Sequence, residues 1–222
     1  CRQVVAFEIE DCFRRLVFLP DDFQRPVYGL KLDGMQFGKF PTLPTGLNFD
    51  HVRQLSLRDM QLDNDAAYFL KAFRQVESLE LDRNQLTLLP EVISHMPNLK
   101  RLSLANNRIQ LTEHSLVKLA KLYSLQSLNL SGNPLGATVD VSRLFELTHL
   151  SLRNTRTTEL PEGLQFLPNL DWVDLRDNEI RDLPAWLFET PRRFSETINL
   201  RHNPISAASR IHLDDYRKTR SE

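Results

Sequence analysis

Cysteine is scarce in this chain of 222 residues. Only Cys1 and Cys12 are present, and both lie near the N-terminus. Small secreted domains are usually held together by several disulfides, so two cysteines cannot supply such a framework. The scarcity favours a reducing compartment. Two interpretations of the pair stay open: a single Cys1–Cys12 disulfide, or two free thiols with Cys12 packed among apolar residues.

Other absences exclude whole classes of function. No apolar run reaches the roughly 20 residues that a membrane helix needs. A formal net charge of −1 gives no general attraction to nucleic acid or to an anionic membrane. The chain has no Gly-rich phosphate loop, no H-E-x-x-H, no C-x-x-C and no G-x-S-x-G, and its six histidines are scattered. We therefore expect no catalytic residue, no metal site and no cofactor in this chain.

Leucine, by contrast, recurs at fixed spacing in the pattern L-x-x-L-x-L-x-x-N-x-L. The clearest copies are Val76/Leu79/Leu81/Asn84/Leu86, Leu99/Leu102/Leu104/Asn107/Ile109, Leu125/Leu128/Leu130/Asn133/Leu135 and Leu170/Val173/Leu175/Asn178/Ile180. Weaker copies begin at residues 27, 52, 147 and 195, which makes eight copies spaced 22 to 26 residues apart. This pattern is the signature of leucine-rich repeats.

The repeat predicts an α/β solenoid, or horseshoe, with a parallel sheet on its concave side. Positions 4 and 6 of each copy point to the same face of a short strand, and neighbouring copies must stack to bury that face. On the convex side, the Leu-Pro pairs at residues 89, 160 and 183 predict compact turns or 3-10 turns. Helices are predicted over 64–73 and over 112–123, with Thr112 as a cap. We expect an N-terminal cap over 1–26, whose apolar residues, Phe7 and Leu16 among them, cover the first repeat. Repeats are expected over 27–205, and a capping helix with the start of a linker over 206–222.

Position 9 of the repeat carries a polar residue that must lie inside the turn after the strand. An asparagine amide there both donates to and accepts from buried backbone groups. A ladder of such bonds is predicted for Asn84, Asn107, Asn133, Asn178 and Asn203. Met35, Met60 and Thr155 occupy the same position in three copies, so the ladder should be interrupted there.

Positions 3, 5 and 7 alternate away from the core and form the concave surface. Arginine recurs at position 7 near the end of the chain, and an outward tryptophan precedes it in one copy. Two interpretations stay open: nearby acids such as Asp174 and Asp177 neutralise the arginines, or the arginines and Trp172 accept an acidic partner segment. The candidate protein-binding residues are Trp172, Arg153, Arg176, Arg201, Asp174, His149, Asn129, Arg101, Glu80 and Asp82. Trp186, on the convex side, is predicted to be core.

Four phrases of the sequence resemble a particular family. They are residues 52–59 (VRQLSLRD), 150–155 (LSLRNT), 158–161 (TELP) and 198–204 (INLRHNP). They resemble the repeat region of bacterial secreted effectors of the NEL (IpaH-type) E3 ubiquitin ligase family, in particular its long, toxin-like members. Neither Cys1-Arg2-Gln3 nor Cys12-Phe13-Arg14 matches that family's C-x-D motif, so no catalytic residue is transferred to this chain.

The resemblance implies that these repeats recognise a host or target protein on the concave face and restrain the parent's own ligase domain. It also implies secretion by a bacterium and delivery to the host cytoplasm. The alternative is a free-standing interaction scaffold with no enzyme attached. In both cases we expect a monomer that binds protein, with no nucleic-acid or membrane partner.

Overall fold

The computed structural model describes residues 2–219. The chain forms two compact units, residues 1–109 and residues 110–222, which we call the first and second unit. Within the described part, no helix is both long and apolar enough to cross a membrane.

The first unit is built on a short-stranded sheet. Its elements are α1 (Arg2–Phe13), β1 (Phe18–Pro20), β2 (Pro26–Lys31), β3 (Gln54–Ser56), α2 (Ala66–Leu70), β4 (Ser78–Glu80), a 3-10 turn (Glu91–His95) and β5 (Arg101–Ser103). β1 and β2 form an antiparallel hairpin. β2 to β5 are parallel, and their register places Leu30, Leu55, Leu79 and Leu102 side by side.

The second unit repeats the same plan. Its elements are α3 (Glu113–Leu119), β6 (Ser127–Asn129), β7 (His149–Ser151), a 3-10 turn (Leu164–Phe166), β8 (Trp172–Asp174), a 3-10 turn (Ala185–Glu189), α4 (Arg192–Glu196), β9 (Ile198–Asn199) and α5 (Ala207–Thr219). β6 to β9 are parallel and align Leu128, Leu150, Val173 and Ile198.

Apolar residues at positions 4 and 6 of the repeat form the core of both units. Leu79 and Leu81 in the first unit, and Leu150 and Leu152 in the second, are each at most 1% exposed. Burying a leucine side chain contributes about 1.5–3 kcal/mol, so every repeat adds to the free energy of unfolding. The predicted leucine-rich repeat fold, with parallel strands, short helices and 3-10 turns, is confirmed.

The connections that follow the strands are of the two kinds predicted. Pro90 and Pro184 each immediately precede a 3-10 turn. α2 and α3 fall within the two predicted helical segments. α3 begins at a capping box, in which the Thr112 hydroxyl accepts from the Ser115 backbone N–H and the Ser115 hydroxyl accepts from the Thr112 N–H. The predicted role of Thr112 is confirmed.

The N-terminal segment covers the first repeat with fewer side chains than the sequence suggested. α1 buries Val5, Ile9 and Cys12 at a helical spacing. Phe7 and Leu16, which we expected to pack inward, are each 64% exposed. That expectation was wrong because α1 packs on the sheet with one face only, which leaves Phe7 in solvent, and because Leu16 lies beyond the end of the helix. The cap boundary at residue 26 stays a prediction.

Cys12 is a buried free thiol, and Cys1 lies outside the described residues. Burial, reinforced by the negative charge of Glu8, raises the pKa of the Cys12 thiol to about 12. The protonated thiol contacts the Gly29 carbonyl oxygen at 3.5 Å. Cys12 is therefore an inert packing residue.

α5 lies against the last turns of the second unit. The Ser209 hydroxyl accepts from the Leu183 N–H at 3.1 Å, and Tyr216 is 4% exposed beside Phe188. Residues 220–222 of the predicted capping segment lie outside the described part. Trp186 is half-buried and contacts Phe194 edge-on, so the prediction that it belongs to the core was wrong.

Candidate protein-binding face

The sheet face, meaning the side chains at positions 3, 5 and 7 of each repeat, is supported from beneath by buried asparagines. In the first unit, the Asn84 amide nitrogen donates to the Leu57 and Leu81 carbonyls at 2.9 Å. Its oxygen accepts from the backbone N–H of Met60 and of Leu62. One side chain thus satisfies four backbone groups that have no water to bind.

Asparagines in the other repeats make similar bonds. Each donates to the carbonyl of the residue three positions earlier in its own repeat: Asn107 to Leu104, Asn133 to Leu130, Asn178 to Leu175 and Asn203 to Leu200. Thr155 was expected to leave a gap. Its hydroxyl instead donates to the Leu152 carbonyl at 2.8 Å, and its side chain is 0% exposed. A short hydroxyl therefore replaces one bond of the amide.

Position 8, just before the asparagine, has a left-handed backbone in every repeat. Glycine supplies this conformation at Gly34 and Gly132 only. The other six positions are occupied by Asp59, Arg83, Asn106, Asn154, Asp177 and His202, with φ between 54° and 62°. This conformation turns the chain sharply after each strand. It also carries the position-8 side chain to the edge of the sheet face.

In the first unit, charged side chains on the face bind one another across neighbouring strands. The Asp33 carboxylate accepts from the Ser56 hydroxyl at 2.7 Å, and from the Arg58 N–H and Nε at 2.9 Å. Arg58 Nε also lies 3.5 Å from a Glu80 carboxylate oxygen. Asp82 repeats the arrangement two repeats later, accepting from the Ser103 hydroxyl and the Ala105 N–H. Glu80 and Asp82, predicted to bind a partner, are therefore engaged within the sheet.

Arg101, the third predicted residue of this unit, lies at the start of β5. Its guanidinium contacts the Asp22 carboxylate in the turn between β1 and β2. Nothing in the sequence indicates this pair, because 79 residues separate the partners. All three candidates of the first unit thus have partners in their own unit.

In the second unit, two of the three arginines at position 7 are paired. Arg176 donates through Nε and Nη2 to the Asp174 carboxylate at 2.9 and 2.7 Å. Asp174 is 2% exposed, so it lies beneath its arginine and is closed to a partner. The Arg153 Nε donates to Asp177 at 2.7 Å, and the other Asp177 oxygen lies 2.9 Å from His202 Nδ1. The interpretation that aspartates neutralise the arginines therefore fits Arg153 and Arg176.

These pairs keep both aspartates ionised. Burial acts to raise the pKa of the Asp174 carboxyl, but hydrogen bonds from Arg176 and the charges of Arg176 and Arg153 outweigh it, and the pKa is lowered. The hydrogen bond from Arg153 is the main cause that lowers the pKa of Asp177, with a further contribution from His202. An ionised Asp177 accepts only, so His202 carries its proton on Nδ1.

Three other predicted residues of the second unit present side-chain groups to solvent. Trp172 is 40% exposed although it lies on a strand, and the His149 ring is 6.2 Å from it, centroid to centroid. Arg201 is exposed, and its guanidinium has no carboxylate partner among residues 2–219. The Asn129 amide oxygen is less available to a partner, because it already accepts from the N–H and hydroxyl of Ser131.

The chemistry of this face is that of recognition. The His149 Nδ1 lies 2.8 Å from the Thr148 hydroxyl, which itself donates to the Gln126 carbonyl. His149 therefore presents Nε2 to solvent beside the indole. Within the described part of the chain, no three His, Cys, Asp or Glu side chains are placed to hold a metal ion. Sequence reasoning missed Asp33, Arg58 and His202, and the regular use of positions 7 and 8 is the signal that could have found them.

Comparison with known proteins agrees with this architecture. Residues 50–109 and 74–135 match the model of the leucine rich repeat family. Receptor-like protein 6 of Arabidopsis thaliana is 35% identical over 51% of this chain and 12% of its own length. Podocan-like protein 1 of Homo sapiens is 32% identical over 78% of this chain and 32% of its own length.

Two solved structures have the same fold. A leucine-rich repeat protein of Leptospira interrogans aligns with a TM-score of 0.59 and 26% identity, over 76% of this chain and 42% of that one. The ectodomain of the plant receptor kinase GASSHO1/SCHENGEN3 from Arabidopsis thaliana, in complex with CASPARIAN STRIP INTEGRITY FACTOR 2, aligns with a TM-score of 0.57 and 25% identity. That alignment covers 80% of this chain and 22% of the ectodomain.

This chain spans less than half of the length of each of these four proteins. The family match falls on the repeats that form β3 to β6, and the same strand, turn and asparagine plan recurs in the repeats up to β9. The match, the repeated strands and the asparagine bonds together identify this chain as a leucine-rich repeat protein.

Proposed function

We propose that the sheet face of the second unit binds a protein partner through an acidic, extended segment. The observation that carries the proposal is Trp172, which is 40% exposed on a strand whose next residue, Val173, is 0% exposed. A large aromatic side chain held on a rigid strand is the residue type most enriched in binding hot spots. Its neighbour His149 adds a second ring and a hydrogen-bonding nitrogen to the same site.

The charge of the face favours an acidic partner. The face carries three arginines, Arg153, Arg176 and Arg201. Two aspartates, Asp174 and Asp177, balance two of these charges, which leaves one positive charge in excess. Arg201 is the arginine that has no carboxylate partner within residues 2–219, so it can bind one without breaking an existing pair. Arg153 and Arg176 keep further N–H groups for neutral acceptors, since each guanidinium has five donors.

Geometry sets the length of the segment. Trp172 occupies position 3 and Arg201 occupies position 7 of the next repeat, which corresponds to four residues along a strand, or roughly 13 Å. A partner that runs along the strands would therefore place an apolar residue and a carboxylate about four residues apart. The binding partner of the GASSHO1/SCHENGEN3 ectodomain supports a ligand-binding role for this fold in general.

Selection from a random peptide library on the immobilised chain tests the proposal. We expect enrichment of peptides that combine Asp or Glu with an apolar residue at this spacing. In titration calorimetry with a selected peptide, Trp172→Ala should weaken binding by about 2 kcal/mol, which is roughly 30-fold. Arg201→Glu should slow association and reduce its salt dependence.

Lys118→Glu, a charge reversal on α3, is the matched control and should bind like the unmodified chain. Peptides that bind equally well to Trp172→Ala and Arg201→Glu, but lose affinity for Lys118→Glu, would contradict the proposal. Arg176→Glu is unsuitable as a probe, because it would leave Asp174 buried beside a second negative charge.

We further propose, from the resemblance of the four phrases alone, that the module selects substrates for a NEL-type E3 ubiquitin ligase of a secreted bacterial effector. Delivery to the host cytoplasm, and restraint of the parent's own ligase domain by the repeats, belong to this same narrower proposal. The relatives reported above do not add to it. A free-standing interaction scaffold is the alternative.

The parent reading frame distinguishes these two. A helical domain with a C-x-D motif encoded after Glu222 would support the ligase module, and a stop codon there would contradict it. In either case the isolated chain should form no ubiquitin thioester with a charged E2, and Cys12→Ser should affect stability only. A reducible ubiquitin adduct that forms on this chain and is lost in Cys12→Ser would show that Cys12 is a nucleophile. It would contradict the expectation that this chain holds none.

A further inference from the structure

A cavity of about 570 Å³ opens beside α2 in the first unit. Its lining residues are drawn from two segments, residues 38–43 and residues 61–69, and we call it the α2 cavity. None of these residues stands at position 3, 5 or 7 of a repeat, so the cavity is separate from the sheet face. Cavities of roughly 300–1,000 Å³ are of the size that holds a small organic ligand. The α2 cavity is therefore large enough for one.

The cavity forms because the first of these segments has no helix to pack against α2. Between β2 and β3, residues 32–53 contain neither helix nor strand. Phe40 joins this stretch to α2, since its ring stacks on Phe69 with 4.0 Å between the centroids and an angle of 7°. Phe37 packs edge-on against Phe40 at 4.9 Å. The space beside the stacked rings, which a helix would otherwise fill, stays open.

The floor of the cavity is apolar and fixed in place. Leu62, Ala66 and Phe69 line it and are 5%, 6% and 3% exposed. The Leu62 N–H donates to the Asn84 amide oxygen at 3.1 Å, so a buried asparagine holds this part of the floor. Phe69 also lies 5.1 Å from Phe73, centroid to centroid. A site whose walls are already ordered loses little conformational entropy when a ligand enters.

The charges of the lining favour a cation. Asp63 and Asp65 contribute two carboxylates and Lys39 contributes one ammonium, which leaves a net charge of −1. One Asp63 oxygen accepts from the Asp65 N–H at 3.0 Å, which keeps the two acids together. Among residues 2–219, neither carboxylate lies within 4.0 Å of a basic side chain. Both can therefore bind a positive group without breaking an existing pair.

An aromatic ring of the lining is also suited to a cation. Tyr68 is 74% exposed, and the Lys71 ammonium lies over its ring, 5.0 Å from the centroid. The electron-rich face of such a ring attracts ammonium groups. A bare metal ion fits less well, because the described chain places no three His, Cys, Asp or Glu side chains around one point. Apolar floor, aromatic ring and carboxylates together match an organic cation.

We propose that the α2 cavity binds a small organic cation, in which a primary ammonium is attached to a flat apolar group. The apolar group packs on Leu62, Ala66 and Phe69, and the ammonium lies at the rim beside Asp63 and Asp65. The sequence contains no motif for such a ligand, since the site arises from a ring contact between two connections. It uses no residue of the sheet face of the second unit, so its success or failure is independent of the function proposed above.

Amide NMR spectra of the full chain, recorded while a probe is added, test the proposal. Three probes share a phenyl ring and a two-carbon chain and differ in the charge of the end group: phenethylamine, phenethyl alcohol and phenylpropionate. At millimolar concentrations, phenethylamine should shift the amide signals of residues 38–43 and 61–69. It should bind at least about fivefold more tightly than phenethyl alcohol, because an ion pair at an exposed site contributes up to about 1 kcal/mol. Phenylpropionate should bind most weakly.

Two pairs of matched variants locate the ligand. Asp63→Asn should weaken phenethylamine binding about threefold and leave phenethyl alcohol binding unchanged, because only a charge is removed. Asp50→Asn, which changes the net charge equally at an exposed residue outside the lining, should bind phenethylamine like the unmodified chain. Ala66→Leu should lower the affinity for both probes at least about tenfold, because the larger side chain occupies the floor. Ala67→Leu, on the neighbouring residue outside the lining, is its control.

Thermal unfolding shows whether each variant is folded, and Asp63→Asn keeps the test decisive if Ala66→Leu is too unstable to use. Equal affinities for the three probes would overturn the charge that we assign to the ligand. Shifts confined to residues outside the two segments would overturn the site. If phenethylamine at millimolar concentrations shifts no amide signal, the proposal as a whole is wrong.

Discussion

The two units place similar side chains at the same repeat positions and use them differently. In the first unit, acids at position 7 such as Asp33 bind the serine hydroxyl and the backbone N–H of the next repeat. In the second unit, the acceptor stands at position 5, as in Asp174, and binds the arginine of its own repeat. The first arrangement ties neighbouring strands together. The second keeps the Asp174–Arg176 pair within one repeat, and it is Asp177 at position 8 that reaches Arg153 and His202 of the neighbouring repeats.

This difference decides which face is open to a partner. Cross-strand bonds in the first unit occupy the charged groups of Arg58, Glu80 and Asp82. The second unit leaves Trp172 and Arg201 exposed above the same kind of sheet. Acids at position 7 of the first unit, Asp33 and Asp82, therefore bind the neighbouring repeat, whereas Arg201 at the same position of the second unit has no carboxylate partner among residues 2–219.

The largest expected effect tests what the two units share. Asn84→Leu in the first unit and Asn178→Leu in the second should each lower the free energy of unfolding by about 3 kcal/mol, because buried backbone groups lose their partners. Urea denaturation, monitored by circular dichroism, measures both. If one variant is as stable as the unmodified chain, the asparagine bonds do not support the two units equally.

The next effect concerns the buried aspartate and depends on pH. Asp174→Asn should lower the free energy of unfolding by about 1–2 kcal/mol at neutral pH, because charge-assisted hydrogen bonds from Arg176 are weakened. The pKa of Asp174 is lowered by folding, so its contribution is present above the unfolded value of about 3.9 and is lost as the pH falls through the folded value.

The stability difference between the unmodified chain and Asp174→Asn should therefore shrink below about pH 4. Asp33→Asn is the counterpart in the first unit. Its carboxyl pKa is also lowered, because hydrogen bonds from Ser56 and Arg58 and the charge of Arg58 outweigh burial, which acts to raise it. A difference that stays constant from neutral pH to about pH 3 would show that the carboxylate charge is not what stabilises either unit.

A smaller effect separates the two faces directly. Arg58→Ala should cost about 1 kcal/mol, because the Asp33 carboxylate loses its nearer cation and keeps only Lys31, whose Nζ lies 4.0 Å away. Arg201→Ala should change stability by less than about 0.5 kcal/mol. Thermal unfolding of the two variants in parallel measures the contrast. Equal losses would mean that Arg201 is engaged in its own unit, which would remove the free cation from the proposed binding face.

The smallest effect is expected at Thr155. Its hydroxyl already donates to the Leu152 carbonyl, and the neighbouring Asn178 oxygen accepts from the Thr155 and Thr157 N–H groups. Thr155→Asn should therefore shift the free energy of unfolding by less than about 1 kcal/mol in either direction. A loss of several kcal/mol in a urea titration would show that the pocket cannot hold an amide.

The leucine spacing by itself determined the strands, the core side chains and the positions of the buried asparagines. In a stack of repeats, the position of a residue within the repeat determines whether its side chain points into the core or out of it. Local periodicity is therefore sufficient to predict these features. The proline and capping patterns likewise indicated the 3-10 turns and α3. These predictions needed no knowledge of distant contacts.

Only the tertiary structure decided which charged and apolar groups stay available. Whether Arg176 is free depends on an aspartate beneath it, whether Arg101 is free depends on Asp22 in a distant turn, and whether Phe7 is buried depends on how α1 lies on β2. Long, flexible charged side chains pair with whichever opposite charge lies close in space, even when the two residues are far apart in the sequence. The repeat pattern therefore determined where the faces lie, and three-dimensional packing determined which of them remain open.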